Sequence, residues 1–393
     1  MLNAITGDDN AAIVADKRIS LIAAIYLGIV GPAIFIVQPG FVQGLVEYYG
    51  FSAKEAGYVA SAEMWGIALT TLALTFVANR VNWRNILTLA ILLAAAGNFL
   101  SVLTQDVVIF ATLRALAGVG SGVLISLTFT SIGLTSNPDR NFGFLIMWIL
   151  AYGAAGFLLM PVAYTTIGMT GVLFFFGLLN LSALAFVRYL PASGEEHARV
   201  NDNTVVLPKL FKALAVSTMF IYFVGQGVVW AYLFLIGSNG GSTEQEVSNG
   251  LILSQFFGIA GAFTSAMVAS RIGNSRIFSI GVGIAGSVLS LVLMFGIKGA
   301  MIYTVAVCVF NYAWNMTHPF LLAALASFDR TGQIVVYGVA GQMLGLAVGP
   351  ALAASVIAEN DYSNVIWLGL ILFLVAFFTI VPPVLKHKAD NPA

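Results

Sequence analysis

Charge is scarce in this sequence, and the shortage excludes most function classes at once. Only 9% of the 393 residues are charged while 59% are apolar, against roughly 25% and 45–50% in soluble globular chains. Such a chain cannot coat a water-soluble body of its own size. Lysine and arginine number 17, and so do aspartate and glutamate, so no net field draws nucleic acid. The one cysteine, Cys308, cannot form an internal disulfide and, in its apolar run, reads as packing. No G-x-x-x-x-G-K-[ST] phosphate loop is present, no His/Cys/Asp cluster at metal-ligand spacing, and no nucleophile with a recognisable base partner. ATP-driven work by this chain, a resident metal or cofactor, and enzyme chemistry are therefore not expected. Residues 1–17 have no short apolar h-region, so no cleaved signal peptide is expected either.

What the chain does have is apolar runs. A helical membrane span needs about 20 such residues, and twelve fit, at approximately 18–38, 53–78, 85–104, 107–131, 141–165, 171–190, 209–236, 245–270, 276–297, 300–327, 332–357 and 363–385. They are called spans 1 to 12 below. An even number puts both termini on one side, and lysine and arginine identify it as the cytoplasm. With cytoplasmic termini, 14 of the 17 basic residues lie on that side and only Lys54 and Lys298 lie outside; Arg114 falls within span 4. Span 1 would itself direct insertion into the cytoplasmic membrane.

Halfway along, residues 191–208 form the longest polar stretch and read as a cytoplasmic linker. The expected organisation is a tail at 1–17, a six-helix unit at 18–190, the linker, a second six-helix unit at 209–385 and a tail at 386–393. The two units echo each other at an offset of about 190 residues. Asn79-Arg80-Val81-Asn82 after span 2 matches Ser270-Arg271-Ile272-Gly273 after span 8, and Asp139-Arg140 after span 4 matches Asp329-Arg330 after span 10. Span 2 opens on a capping box, Ser52-x-x-Glu55, and span 8 on Thr243-x-x-Glu246. A duplicated unit of this kind is a signature of secondary transporters.

Three motifs make the chain resemble the major facilitator superfamily over essentially its whole length. The family's G-x-x-x-D-R-x-G-R-R loop has a degenerate counterpart in Thr75-x-x-x-Asn79-Arg80-Val81-Asn82-Trp83-Arg84. Its acidic position is Asn79 and both glycines are replaced. Arg114-Ala-Leu-Ala-Gly118-Val-Gly120 in span 4 is similar to the R-x-x-x-G-x-G motif of many proton-coupled members. The glycine-proline motif of drug:proton antiporters is partial in span 5 (Gly153, Gly156, Pro161) and fuller in span 11 (Gly341, Gly345, Gly349-Pro350). The resemblance implies an all-α membrane fold: two six-helix bundles related by pseudo-twofold symmetry around a central cavity that opens alternately to either side. It also implies gating by the loop residues Asn79, Arg80, Arg84, Arg140, Arg271 and Arg330.

An ionisable group at bilayer depth costs about 2.5–3.5 kcal/mol on insertion scales and is a functional candidate by default. Three qualify: Glu63, Arg114 and His318. Glu63 lies roughly 15 Å and Arg114 roughly 10 Å below the outer surface, near enough in depth to be coupled directly or through water. In a dry site a carboxyl group keeps its proton, and a nearby guanidinium favours its release; a moving arginine or an anionic solute then links protons to transport. The competing reading is a static pair that locks spans 2 and 4.

Span 10 carries Asn311, Asn315 and His318 at i, i+4 and i+7, with Trp314 beside them. Span 7 carries Tyr222, Gln226 and Trp230 at spacing four. The resemblance makes spans 1, 4, 7 and 10 the cavity wall, so Asn311, Trp314, Asn315, Tyr222, Gln226 and Trp230 are candidate substrate contacts, with Tyr26, Trp148 and Tyr152 as weaker ones. His318, a side chain that can titrate near physiological pH, is a proton-coupling candidate beside Glu63 and Arg114. The alternatives are structural: interhelical bonding for the asparagines, the carbonyl freed by Pro319 for His318, the membrane-interface belt for Trp230, and packing for Tyr26, Trp148 and Tyr152.

The expected activity is secondary active transport of a small organic solute, driven by protons, by a chain acting as a monomer in membrane lipid. An uncoupled facilitator, a transporter of lipids or amphiphiles, and a transporter-shaped sensor are the rival readings.

Overall fold

The structure is a computed structural model describing residues 14–77, 80–193, 207–272, 276–296, 298–328, 333–358 and 361–390, without the side chains of 138, 139, 269–272, 276 and 333. Asn79, Arg330 and most of the expected linker lie outside the described residues, and so does the side chain of Arg271.

Among the described residues the architecture is helical, and nine helices are long and apolar enough to cross a membrane. Twelve spans emerge once three features are taken into account. Spans 5 and 6 run together as one hydrogen-bonded helix, Pro138–Ser182, but Gly168 breaks it at φ 66°, ψ 179°, a conformation open to glycine and costly for other residues. Span 10, Ala300–Ala326, has 27 residues but is diluted by its polar stripe. Span 1 is built from three pieces, Arg18–Val30, Ala33–Ile36 and Gln38–Glu47.

That interruption corrects the expectation of an unbroken span at 18–38. Pro32 has no N–H to give and its ring crowds the carbonyl four residues back, so the helix restarts beyond it. Span 7 is interrupted as well, ending at Trp230 and resuming as Leu233–Asn239. No proline acts there. Tyr232 N–H tightens the last turn onto Val229 O at 3.1 Å, and the Tyr232 hydroxyl donates to Ala53 O at 2.9 Å. Both capping boxes are formed. Ser52 N–H reaches Glu55 Oε2 at 2.8 Å, Thr243 N–H reaches Glu246 Oε2 at 2.9 Å, and each N-cap hydroxyl accepts from the N–H three residues on. Span 12 continues through Pro382 and Pro383 to Asp390, past its expected end.

The chain clusters into two compact units. The first draws on the amino-terminal half, but Ser52–Gly57 and Ala154–Pro161 group with the carboxy-terminal half in the second. The first unit's core joins spans 1, 2, 3, 4 and 6 through Leu27, Leu74, Trp83, Leu87, Leu124, Leu127 and Val187. Large apolar side chains also remain exposed on helix exteriors, such as Phe76, Leu89, Val108 and Met301. In water such a surface would aggregate; in a bilayer it is solvated by acyl chains.

Spans 2 and 4 approach backbone to backbone. A Cβ on Gly118 would lie 2.1 Å from Glu63 O, and one on Gly66 would lie 2.2 Å from Ala115 O. Small residues at such crossings let helices associate in lipid, where no hydrophobic force drives them together. This crossing is also what places Glu63 beside Arg114.

Candidate functional site

Glu63 and Arg114 face each other inside the first unit, 6% and 0% exposed. Arg114 Nη1 lies 4.0 Å from Glu63 Oε2, in range for electrostatic attraction but too far for a hydrogen bond. The nitrogen is engaged elsewhere: it donates to Asn98 Oδ1 of span 3 at 2.9 Å. Asn98 is 2% exposed and anchors itself by donating from Nδ2 to Ala94 O at 3.0 Å. The remaining donors of the guanidinium, at Nε and Nη2, have no hydrogen-bond partner. Its carbon stands 5.9 Å from the centre of the Phe110 ring, the geometry of a cation–π contact. An acid, a guanidinium and an amide thus meet in a buried site where a shift of about an ångström exchanges one acceptor for another.

Asn98 was not singled out from the sequence. It is neither ionisable nor part of a polar stripe, and its signal, one amide in an apolar span, gains meaning only from Arg114 opposite.

In the second unit the span 10 stripe divides between two neighbours. Asn311 Nδ2 donates to Ser254 Oγ of span 8 at 3.2 Å, and Asn315 Nδ2 donates back to Asn311 O and Oδ1 at 2.9 and 3.0 Å. His318 turns to span 11, with Nε2 donating to Gln342 Oε1 at 2.9 Å. Its ring packs edge-on against Phe223, centroids 4.9 Å apart. Trp314 packs against Phe223, Trp230 and Phe310 at 5.7–6.3 Å, and Trp230 against Phe157 at 6.2 Å. Trp314, Asn315 and His318 are half-buried.

The three residues of span 7 do not share one environment. Each step of four turns 40° beyond a full revolution, so Trp230 stands about 80° round the helix from Tyr222. Tyr222 and Gln226 are 0% exposed. The Tyr222 ring meets Phe373 of span 12, and its hydroxyl faces Ser287 of span 9 and Thr317 of span 10. Trp230 belongs to the aromatic cluster around Trp314.

The weaker candidates are dispersed. Tyr26 packs its ring at a tilt against Phe186, centroids 4.6 Å apart, and hydrogen-bonds to Ser182, both beyond the Gly168 break. Trp148 is 51% exposed and Tyr152 is half-buried. Of the gating candidates, Arg84 Nε donates to Leu190 O at 2.8 Å and Trp83 N–H donates to Ala192 O at 2.9 Å, fastening the start of span 3 to the end of span 6. Arg140 lies beside Asn141, and Arg80 is exposed. Among the described residues, no group of three or more His, Cys, Asp or Glu could hold a metal ion.

A family model described as Major Facilitator Superfamily matches residues 23–337. No curated protein sequence matches the chain. Among solved structures, the inward-open conformation of the xylose transporter XylE from E. coli is similar, with a TM-score of 0.69 at 15% identity, covering 91% of this chain and 94% of that one. The partially occluded inward-open conformation of the same transporter gives a TM-score of 0.69 at 12% identity, covering 94% and 97%. At such identities the likeness is one of fold.

Proposed function

This chain belongs to the Major Facilitator Superfamily, and on that premise we propose that it couples the movement of its solute to protons through Glu63 and Arg114. As a member of the superfamily it is a multi-pass membrane transporter rather than an enzyme, and it moves a small solute by alternating access. We assign both termini to the cytoplasm on the distribution of lysine and arginine. One chain carries both bundles, so the working unit is a monomer surrounded by membrane lipid.

The observation that carries the coupling is the position of one nitrogen. Arg114 Nη1 is 2.9 Å from Asn98 Oδ1 and 4.0 Å from Glu63 Oε2. With the guanidinium on the amide, the Glu63 carboxyl is free to carry a proton; when the proton leaves, the carboxylate attracts the guanidinium. Each proton exchange is thereby tied to a choice of partner by a residue of span 4, whose backbone lies against span 2 at Gly118. Trp314, Asn315 and His318 are the substrate contacts, an indole face flanked by an amide and an imidazole, suited to a modest-sized organic molecule. Spans 1 and 7 are both interrupted, and broken helices in the two repeats of a transporter are a feature of binding sites, which supports this reading.

A thermal-shift screen of the purified chain against sugars, organic acids, drugs and lipids at pH 5.5 and 7.5 identifies the solute. In proteoliposomes with that solute, Glu63→Gln is expected to abolish proton-driven accumulation while leaving binding and solute exchange measurable. Unchanged proton-driven accumulation refutes the coupling. Wild-type transport indifferent to the proton gradient makes the chain a facilitator.

A further inference from the structure

Spans 2 and 3 both rest on span 4 through glycines. A Cβ on Gly122 would lie 2.8 Å from Ile67 O, and one on Gly120 would lie 2.3 Å from Ala90 O. Between them the two helices leave a groove of about 400 Å³, walled by Leu69, Ala73 and Val77 of span 2 and by Ile86, Leu89 and Leu93 of span 3. Thr70 is the one polar side chain in its lining. Leu69, Ala73, Val77 and Leu89 are exposed, so the groove opens on the exterior of the first unit. Leu69 to Val77 advances about 12 Å at 1.5 Å per residue, which fits within the roughly 15 Å of hydrocarbon in one leaflet. With both termini assigned to the cytoplasm, that leaflet is the inner one.

The cytoplasmic mouth of the groove selects its occupant. Leu69, Ala73 and Val77 recur at every fourth position, and Arg80, exposed, follows three positions after Val77. Asn82, also exposed, accepts from Asn85 N–H through Oδ1 at 3.2 Å, so its amide hydrogens remain for another partner. The segment is held in place from behind, where Trp83 N–H and Arg84 Nε donate to Ala192 O and Leu190 O. From Glu63 to Asp106 the sequence has no acidic residue in between. A phosphate group would meet a guanidinium and amide hydrogens there, whereas the ammonium of a zwitterionic head group would find no carboxylate on this segment. Basic residues at the cytoplasmic surface attract anionic lipids, and an apolar groove of leaflet depth takes an acyl chain. We propose that the groove between spans 2 and 3 binds an anionic phospholipid of the inner leaflet, its acyl chain along Ala73 and Leu89 and its phosphate at Arg80 and Asn82.

Native mass spectrometry of the full chain, delipidated in detergent and given phosphatidylglycerol or phosphatidylcholine with the same acyl chains, tests this. The measurement reads lipid adducts, so its outcome is independent of proton coupling. Phosphatidylglycerol is expected to be retained several-fold more than phosphatidylcholine. Ala73→Phe, which places a ring in the groove, and Arg80→Gln are each expected to lower that retention several-fold. A groove of similar size, about 420 Å³, lies between spans 9 and 12 and supplies the control: Ala285, exposed like Ala73, lines it, and Ala285→Phe is expected to leave retention unchanged. Equal retention of the two lipids overturns the proposal, and so does undiminished retention in Ala73→Phe or in Arg80→Gln. An equal loss in Ala285→Phe also overturns it, by showing that lipid is held all round the chain. A dimer in place of lipid adducts, lost in Ala73→Phe, would assign the groove to a second copy instead. If Ala73→Phe does not fold, Leu89→Trp carries the same comparison with the same outcomes.

Discussion

Replacing Gly118 by alanine adds one methyl group at the crossing of spans 2 and 4. The new Cβ would stand 2.1 Å from Glu63 O, 2.9 Å from Glu63 C and 3.2 Å from its Cα. All three are backbone atoms, so no rotamer change relieves the overlap. Restoring ordinary contact near 3.5 Å moves the two spans apart by more than about 1 Å at this level. Overpacking of this kind costs about 1–3 kcal/mol. The same displacement matches the roughly 1 Å that separates the two acceptor distances of Arg114 Nη1, 2.9 and 4.0 Å. Gly118→Ala is therefore expected to lower both the melting temperature and the ratio of proton-driven accumulation to solute exchange. Gly133→Ala is the control. It lies at the end of the same helix, where an added Cβ meets nothing within 4 Å, and it is expected to melt no lower than the parent. If Gly118→Ala melts and accumulates solute like the parent, the close crossing is not what holds Glu63 and Arg114 in working geometry.

Two further outcomes follow from the same geometry. Asn98→Leu removes the acceptor that Arg114 Nη1 now uses; stranding a buried donor costs about 1–3 kcal/mol, and Glu63 becomes the sole strong attractor. Proton-driven transport in this variant should require a more acidic solution, whereas a merely structural role for Asn98 would lower the melting temperature and leave the pH profile in place. Tyr232→Phe deletes the 2.9 Å hydrogen bond to Ala53 O and leaves that carbonyl short of a donor. A loss of about 1 kcal/mol is expected in thermal unfolding, and a variant as stable as the parent would show that the hydroxyl does not hold span 7 at its interruption.

Fold class, span number and duplication are legible in the sequence because they rest on local quantities. Hydropathy over about 20 residues marks a span whatever lies beside it, and a Ser or Thr three residues before Glu closes a capping box within one turn. The break at Gly31-Pro32 was also present as a local signal, since proline interrupts a helix by its own covalent geometry. The ionisable groups Glu63 and Arg114 stood out for a related reason: a charge is expensive at that depth in any packing arrangement.

The partners of those groups were not legible. Asn98 holds Arg114, and Gln342 holds His318, only because particular helices are rotated to bring them together. Spacing places Tyr222, Gln226 and Trp230 near one face, but tertiary packing divides that face between spans 9, 10 and 12 on one side and the Trp314 cluster on the other. The interruption of span 7 at Ala231–Tyr232 likewise has no proline to announce it and depends on a carbonyl 179 positions away. Hydropathy and capping are summed along the chain, so the sequence by itself determines that this is a duplicated, twelve-span helical membrane protein with an acid and a base in its interior. Hydrogen bonds between helices depend on rotation and depth to within about an ångström, and only the packed structure decides those.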